Sequence, residues 1–234
     1  MKRILRNRGL VVVFALLASV SLASAASITQ TQLFGGTPSL QQTMTFDEFD
    51  DMGGSLILLS VFVSMDLDVA GGFMVLDNDG EFGASGMYDF GADALLSSSD
   101  VSLLNTALLP VLTKLEALTS GAFTLAANDG DALGDFSAIG PDSLIVTGLS
   151  QTDADSGFLA DLVEPQFIGT STFDLVVDAT QRSDFGGVGG IEWAVTPVTA
   201  NGSVTVVYNY VPEPATMSLL AVGGVAALIR RRRK

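Results

Sequence analysis

Two segments hold the side chains best suited to ligand chemistry. "FMVLDNDGE" at 73–81 and "FTLAANDGD" at 123–131 each run a β-like stretch into Asn-Asp-Gly and then an acid, 50 residues apart. Calcium takes six to eight oxygen ligands, and alternate acids in a tight turn offer several of them. Asp77, Asp79 and Glu81 in the first segment, with Asn128, Asp129 and Asp131 in the second, are therefore the candidate metal ligands. Neither segment fits an EF-hand loop, because Gly80 arrives too early and no acid lies at the twelfth position. A purely structural reading stands beside this one. Asn, Asp and Gly tolerate positive φ, so the same residues also suit two similar strand-end turns.

Other chemistries find little material. The chain has no histidine and no cysteine, which excludes Ser-His and Cys-His catalysis, His-ligated metals, thiolate sites and a disulfide framework. Paired carboxylates hydrolyse glycosides, but sequence spacing does not show which pair would flank a bond. A Ser-Lys dyad would have to use Lys114, and no enzymatic activity is expected. Sugar-binding sites use aromatic faces; Trp193, Tyr88, Tyr208 and Tyr210 are available, although a sandwich core claims such residues first.

Charge is distributed unevenly along the chain. Lys2, Arg3, Arg6 and Arg8 precede an apolar run at 10–20, and Ala23-Ser24-Ala25 follows with small residues, the pattern of a secretory signal peptide cleaved after residue 25 by signal peptidase. At the other end, Pro212-Glu213-Pro214 leads into the apolar stretch 215–229 and then Arg230, Arg231, Arg232, Arg233 and Lys234. Between the ends, Lys114 and Arg182 are the only cations, whereas every acid of the chain except Glu213 lies there. Such a body repels nucleic acid and anionic lipid and attracts cations. It expects no obligatory cofactor, with calcium as the alternative.

The apolar tail has 15 residues, about 22 Å as a helix against a hydrocarbon core of about 30 Å. It is marginal as a permanent anchor. The basic cluster would stop transfer with Lys234 in the cytoplasm and the Pro-Glu-Pro outside. The two prolines fix φ and donate no backbone hydrogen bond, which favours an extended, readable segment.

The elements that must position these residues read as β structure. Short stretches rich in Val, Ile, Thr and Phe, bounded by Gly, Asp, Asn or Pro, predict strands over 55–67, 72–76, 121–126, 143–149, 170–178, 191–196 and 203–211. One stretch reads differently. Asp100 as an N-cap, apolar residues Leu103, Leu104, Ala107, Leu108 and Val111 at helical spacing, and Gly121 beyond predict a short helix kinked or divided by Pro110. The fold class is all-β, a jelly-roll-like β-sandwich with one short helical insertion, flanked by the signal peptide and a C-terminal membrane helix.

Between 26 and 210, "FDEFDDMGGSLILLSVFVSM", "NDGDALGDFSAIGPDS" and "FIGTSTFDLVVDATQRSDFGGVGGIEWAVTPVTANGSVTVVYNY" occur in an order that resembles the choice-of-anchor E domain of exported bacterial proteins. That resemblance implies a β-sandwich of unassigned activity carried on interchangeable sorting tails. The three-part C-terminus resembles the PEP-CTERM sorting signal, with Pro212, Glu213 and Pro214 as its motif and Arg230 to Lys234 as its stop-transfer cluster. It implies recognition by an exosortase, a membrane peptidase that removes the tail of proteins in Gram-negative bacteria that make extracellular polysaccharide. Residues 1–25 are thus expected to be the signal peptide, 26–211 the sandwich and 212–234 the sorting signal. The expected product is a cell-surface or biofilm-matrix protein, transiently held at the inner membrane, with a structural or adhesive role. Binding of extracellular polysaccharide or calcium is the alternative.

Overall fold

The computed structural model describes residues 25–130 and 140–213. The expected membrane helix, Pro214, Asp131, the stop-transfer cluster and residues 1–24 of the expected signal peptide lie outside them. Among the described residues no helix is long and apolar enough to cross a membrane.

Eleven strands carry the described chain: β1 (Ala26–Gly36), β2 (Leu40–Asp47), β3 (Leu56–Ala70), β4 (Phe73–Asn78), β5 (Ala84–Ser97), β6 (Leu115–Leu125), β7 (Ser143–Thr147), β8 (Ser150–Phe158), β9 (Thr172–Asp184), β10 (Ile191–Thr196) and β11 (Thr199–Pro212). One sheet has the order β1-β11-β3-β8 and the facing one β2-β9-β5-β6, with antiparallel pairing throughout. Set apart β4, β7 and β10, and these eight strands form the double-sheet jelly roll. The expected all-β sandwich is therefore the observed architecture.

The third sheet, β10-β4-β7, is a bent continuation of the first. Ala70 pairs with Thr199 and Ser150 at the end of β3, and Phe73 pairs with Thr196 and Thr147 at the start of β4. All three chains thus cross the same bend together. Gly71 and Gly72 (φ 75° and 66°) and Gly148 (φ 68°) turn two of them in the left-handed region that residues with a Cβ avoid, and Pro197 lies in the third.

Alternation fills the core. In β11, Val204, Val206 and Tyr208 are fully buried while Thr205, Val207 and Asn209 are half-buried on the outer face. They meet Val61, Val63, Met65 and Leu67 of β3, Phe46, Phe173, Leu175 and Val177 of the facing sheet, and Met74 and Leu76 of the bent extension in one apolar cluster. Tyr208 keeps its hydroxyl satisfied by donating to the Asp47 carbonyl at 2.9 Å, and burial raises its pKa well above the phenol range.

The sandwich is closed at both sides by side chains that act as strands. Between β1 and β2, the Gln30 amide donates to Asp47 O (2.8 Å) and its oxygen accepts from Asp47 N (2.9 Å), while Gln42 donates to Leu33 O (3.1 Å). Between β8 and the start of β6, Asp155 Oδ2 accepts from both N and Oγ1 of Thr113 (2.7 Å each), and Asp153 Oδ2 accepts from Glu116 N (2.8 Å). These groups occupy edges that would otherwise recruit other strands.

The helix expected from Asp100 onward does not form. Asn105 nucleates a compact loop instead, its side-chain oxygen accepting from Ala107 N (2.9 Å) and Leu109 N (3.2 Å), and Leu108 sits at φ 58°. Pro110 denies a helix its interior hydrogen bond, and Asp100 accepts from Asp174 N (2.9 Å) rather than capping. Val111, Leu112 and Leu115 reach the core, while Leu108 and Leu109 are exposed. The one short helical element among the described residues is a 3-10 turn at Glu164–Phe167.

Candidate functional site

The two Asn-Asp-Gly turns, distant in sequence, meet at the far end of the bent sheet. Asn128 donates its backbone N–H to Gly80 O (3.0 Å) and its amide to Asp79 Oδ1 (3.2 Å). Each Asn builds the same local turn: Asn78 Oδ1 accepts from Gly80 N (3.1 Å), and Asn128 Oδ1 accepts from Gly130 N (2.6 Å). This is the Asx turn, in which a side chain stands in for a backbone carbonyl. Asn78 is buried and also donates to Phe82 O (2.9 Å) and to Ala126 O, tying both turns to the start of β5. The strand-end-turn reading therefore holds for both Asn residues.

Sequence reasoning missed the third participant, Asp142. Its backbone carbonyl accepts from Asn78 N (3.0 Å) and its Oδ2 from Asp129 N (2.7 Å). It is only 1% exposed, and Oδ1 has no hydrogen-bond partner. A β-carbon on Gly140 would press on that Oδ1 and stand 3.3 Å from Asp129 Oδ2, so both oxygens border the same small space. Asp79 Oδ2 is likewise buried without a partner. Asp77, 2% exposed, lies opposite Glu192 on one neighbouring strand and Ser143 on the other, an acid beside an acid where like charge is costly. Glu81 is exposed. Among the described residues no three carboxylates gather closely enough to hold a metal ion. The cluster joins Asp79, Asn128, Asp129 and Asp142 and leaves two buried carboxylate oxygens without a hydrogen-bond partner. Nothing in the local sequence "GPDS" announces Asp142 as a partner of turns so far upstream.

The two body cations share one site. Lys114 pairs with Asp93 (3.0 Å) and Glu116 (2.6 Å), and Arg182 lies 3.4–3.6 Å from Asp89, Asp93 and Glu116. Glu116 and Asp93 hold the Lys114 pKa above its ordinary value, so the amine stays charged and is a poor base. Of the aromatic candidates, Tyr208 is core and Tyr210 packs on Phe49 at 5.4 Å between centroids, while Trp193 is 46% exposed beside Phe185 at 5.8 Å.

The sorting end lies at the opposite extreme of β3. The last strand does not stop at Val211: Pro212 pairs with Leu56, and Glu213 N donates to Ser55 O (2.8 Å). The loop below is self-tied, with Gly54 N and Leu56 N both donating to Asp51 O (3.1 and 2.9 Å). Ala26, the first residue after the expected signal cleavage, pairs with Tyr210. The start of β1 and the end of β11 thus lie at the same end of the same sheet, with Pro212 and Glu213 exposed.

No curated protein matches the chain. Among solved structures it is similar to the STIV MCP (9% identity, 78% of this chain and 48% of that one, TM-score 0.28), the BFDV capsid protein (8%, 83% and 96%, TM-score 0.24) and a T13 viral particle of IBDV (14%, 79% and 40%, TM-score 0.13). The chain spans about half the length of the first of these, and likeness at such scores carries no argument. The informative match is to the PEP-CTERM protein-sorting motif, and it covers residues 211–234. That motif, beginning where β11 meets its last partners on β3, marks the chain as an exosortase-processed surface protein of a Gram-negative bacterium.

Proposed function

We propose that the mature body is a non-catalytic structural or adhesive component of the extracellular surface or biofilm matrix, of the choice-of-anchor E type. The observation that carries this reading is the polarity of the molecule. The sorting motif leaves one end of β3, and the acidic double turn lies past the other, beyond a 15-residue strand of about 50 Å. A closed sandwich of this kind holds its acidic tip away from the membrane during sorting and presents it outward. The engagement of Lys114 and Arg182 in ion pairs supports a non-catalytic role and leaves the rest of the body anionic. Matrix from cells lacking the protein should lose cohesion and regain it when the chain is restored. Unchanged cohesion would count against the role, and saturable capture of the purified body on the host's exopolysaccharide would favour sugar binding instead.

A second reading, calcium binding at the acidic tip, would need Asn and backbone carbonyl oxygens beside the carboxylates and is favoured by the buried, unpartnered Asp142 Oδ1 and Asp79 Oδ2. A carboxylate oxygen removed from water without a donor is costly unless a cation or proton compensates it.

A further inference from the structure

We propose that the sheet itself holds the sorting motif shut, and that Val211 to Glu213 must peel away from β3 before an exosortase acts; this rests on the motif being processed. Three consecutive residues of the matched segment have partners: Val211 opposite Ile57, Pro212 opposite Leu56, and Glu213 N on Ser55 O at 2.8 Å. The motif is therefore the end of a strand and not a linker.

The free side of that strand offers little to a recognising enzyme. β1 begins at Ala26 opposite Tyr210, so among the described residues no strand pairs with 211–213 on that side. In an antiparallel ladder alternate residues direct their N–H and C=O to the same neighbour. Glu213 uses its N–H toward β3, so Pro212 is the residue whose backbone faces the open side, and proline has no N–H to give. An enzyme that binds extended substrate through main-chain hydrogen bonds finds one carbonyl there and no donor. The donors it needs are those already spent on β3.

Reach adds to this. The apolar stretch begins at Ala215, two residues past Glu213, at most about 7 Å away along an extended chain. With the strand docked, the sheet end stands directly over the membrane and leaves no slack to feed the motif into an active site. Separation of three residues supplies that slack.

The absence of cysteine from the chain makes the test clean. Ile57→Cys with Val211→Cys joins a cross-strand pair whose spacing suits a disulfide. Thr31→Cys with Thr205→Cys, on a pair whose hydroxyls lie 2.9 Å apart, places an equivalent link away from the motif. In a pulse-chase of the full chain in its host, with thiol alkylation to read oxidation, the oxidised 57/211 form should retain its tail, at least tenfold slower to mature than wild type. The 31/205 form should mature normally. Inserting a Gly-Ser-Gly-Ser linker between Val211 and Pro212 of the 57/211 variant should restore maturation with the disulfide intact. Normal maturation of the oxidised 57/211 form would overturn the proposal, as would a block that the linker does not relieve. A wild-type chain that keeps its tail at the surface would instead bring down the processing reading beneath it.

Discussion

At the scale of single residues, the tip is organised by asparagines and left in tension by acids. Asn78 and Asn128 were legible as turn formers because Asn-Asp-Gly has an intrinsic reason to turn. Asp142 was not, because its partnership with Asp129 N and Asn78 N arises only when segments from β4, β6 and β7 converge. Its uncompensated oxygen makes a distinguishing prediction. If calcium satisfies it, calcium at ten times its Kd should stabilise the body by about 1.4 kcal/mol over ionic-strength-matched sodium chloride, and Asp142→Asn should abolish the difference. Magnesium should do less, since it demands a tighter octahedron. Equal melting shifts in calcium and sodium would leave screening as the whole effect.

At the scale of elements, what the sequence revealed depended on where each strand lies. β3, β4 and β11 carry apolar alternation or apolar runs because they form the interior of sheets, and their positions were readable. β8, "SQTDADSGF", has no buried residue, and β1 begins "ASITQTQ". These edge strands spend their side chains on lateral hydrogen bonds, so no apolar period marks them. β5 hid for another reason: Gly86 and Gly91 interrupt it, where a β-carbon would collide with its neighbours. The false helix shows the converse error, a helical spacing of leucines overridden by Asn105 and Pro110. The β8 seam is testable through Asp155, whose pKa is lowered by the Thr113 N–H and hydroxyl. A depressed carboxylate pKa means stability that is present above the unfolded value and lost as pH falls through the folded one. Asp155→Ala should therefore cost about 1–2 kcal/mol at neutral pH in urea melts, with the gap from wild type narrowing under acid. A gap independent of pH would show that the carboxylate's charge is not what closes the seam.

At the scale of the whole molecule, the ends of the body and its acidic tip lie at opposite extremes of one bent sheet. Sorting then has one axis: the expected leader would precede β1, the sorting motif begins within the end of β11, and both strands reach the same end of the sheet. The central claim is that this chain is delivered and then freed from its tail. Intact-mass and peptide mass spectrometry of the protein recovered from the cell surface or matrix tests it most directly. The mature species should begin at Ala26 and end at or shortly after the Pro212-Glu213-Pro214 motif, with no peptide from 215–234. Surface protein that still carries Arg230 to Lys234 would contradict it.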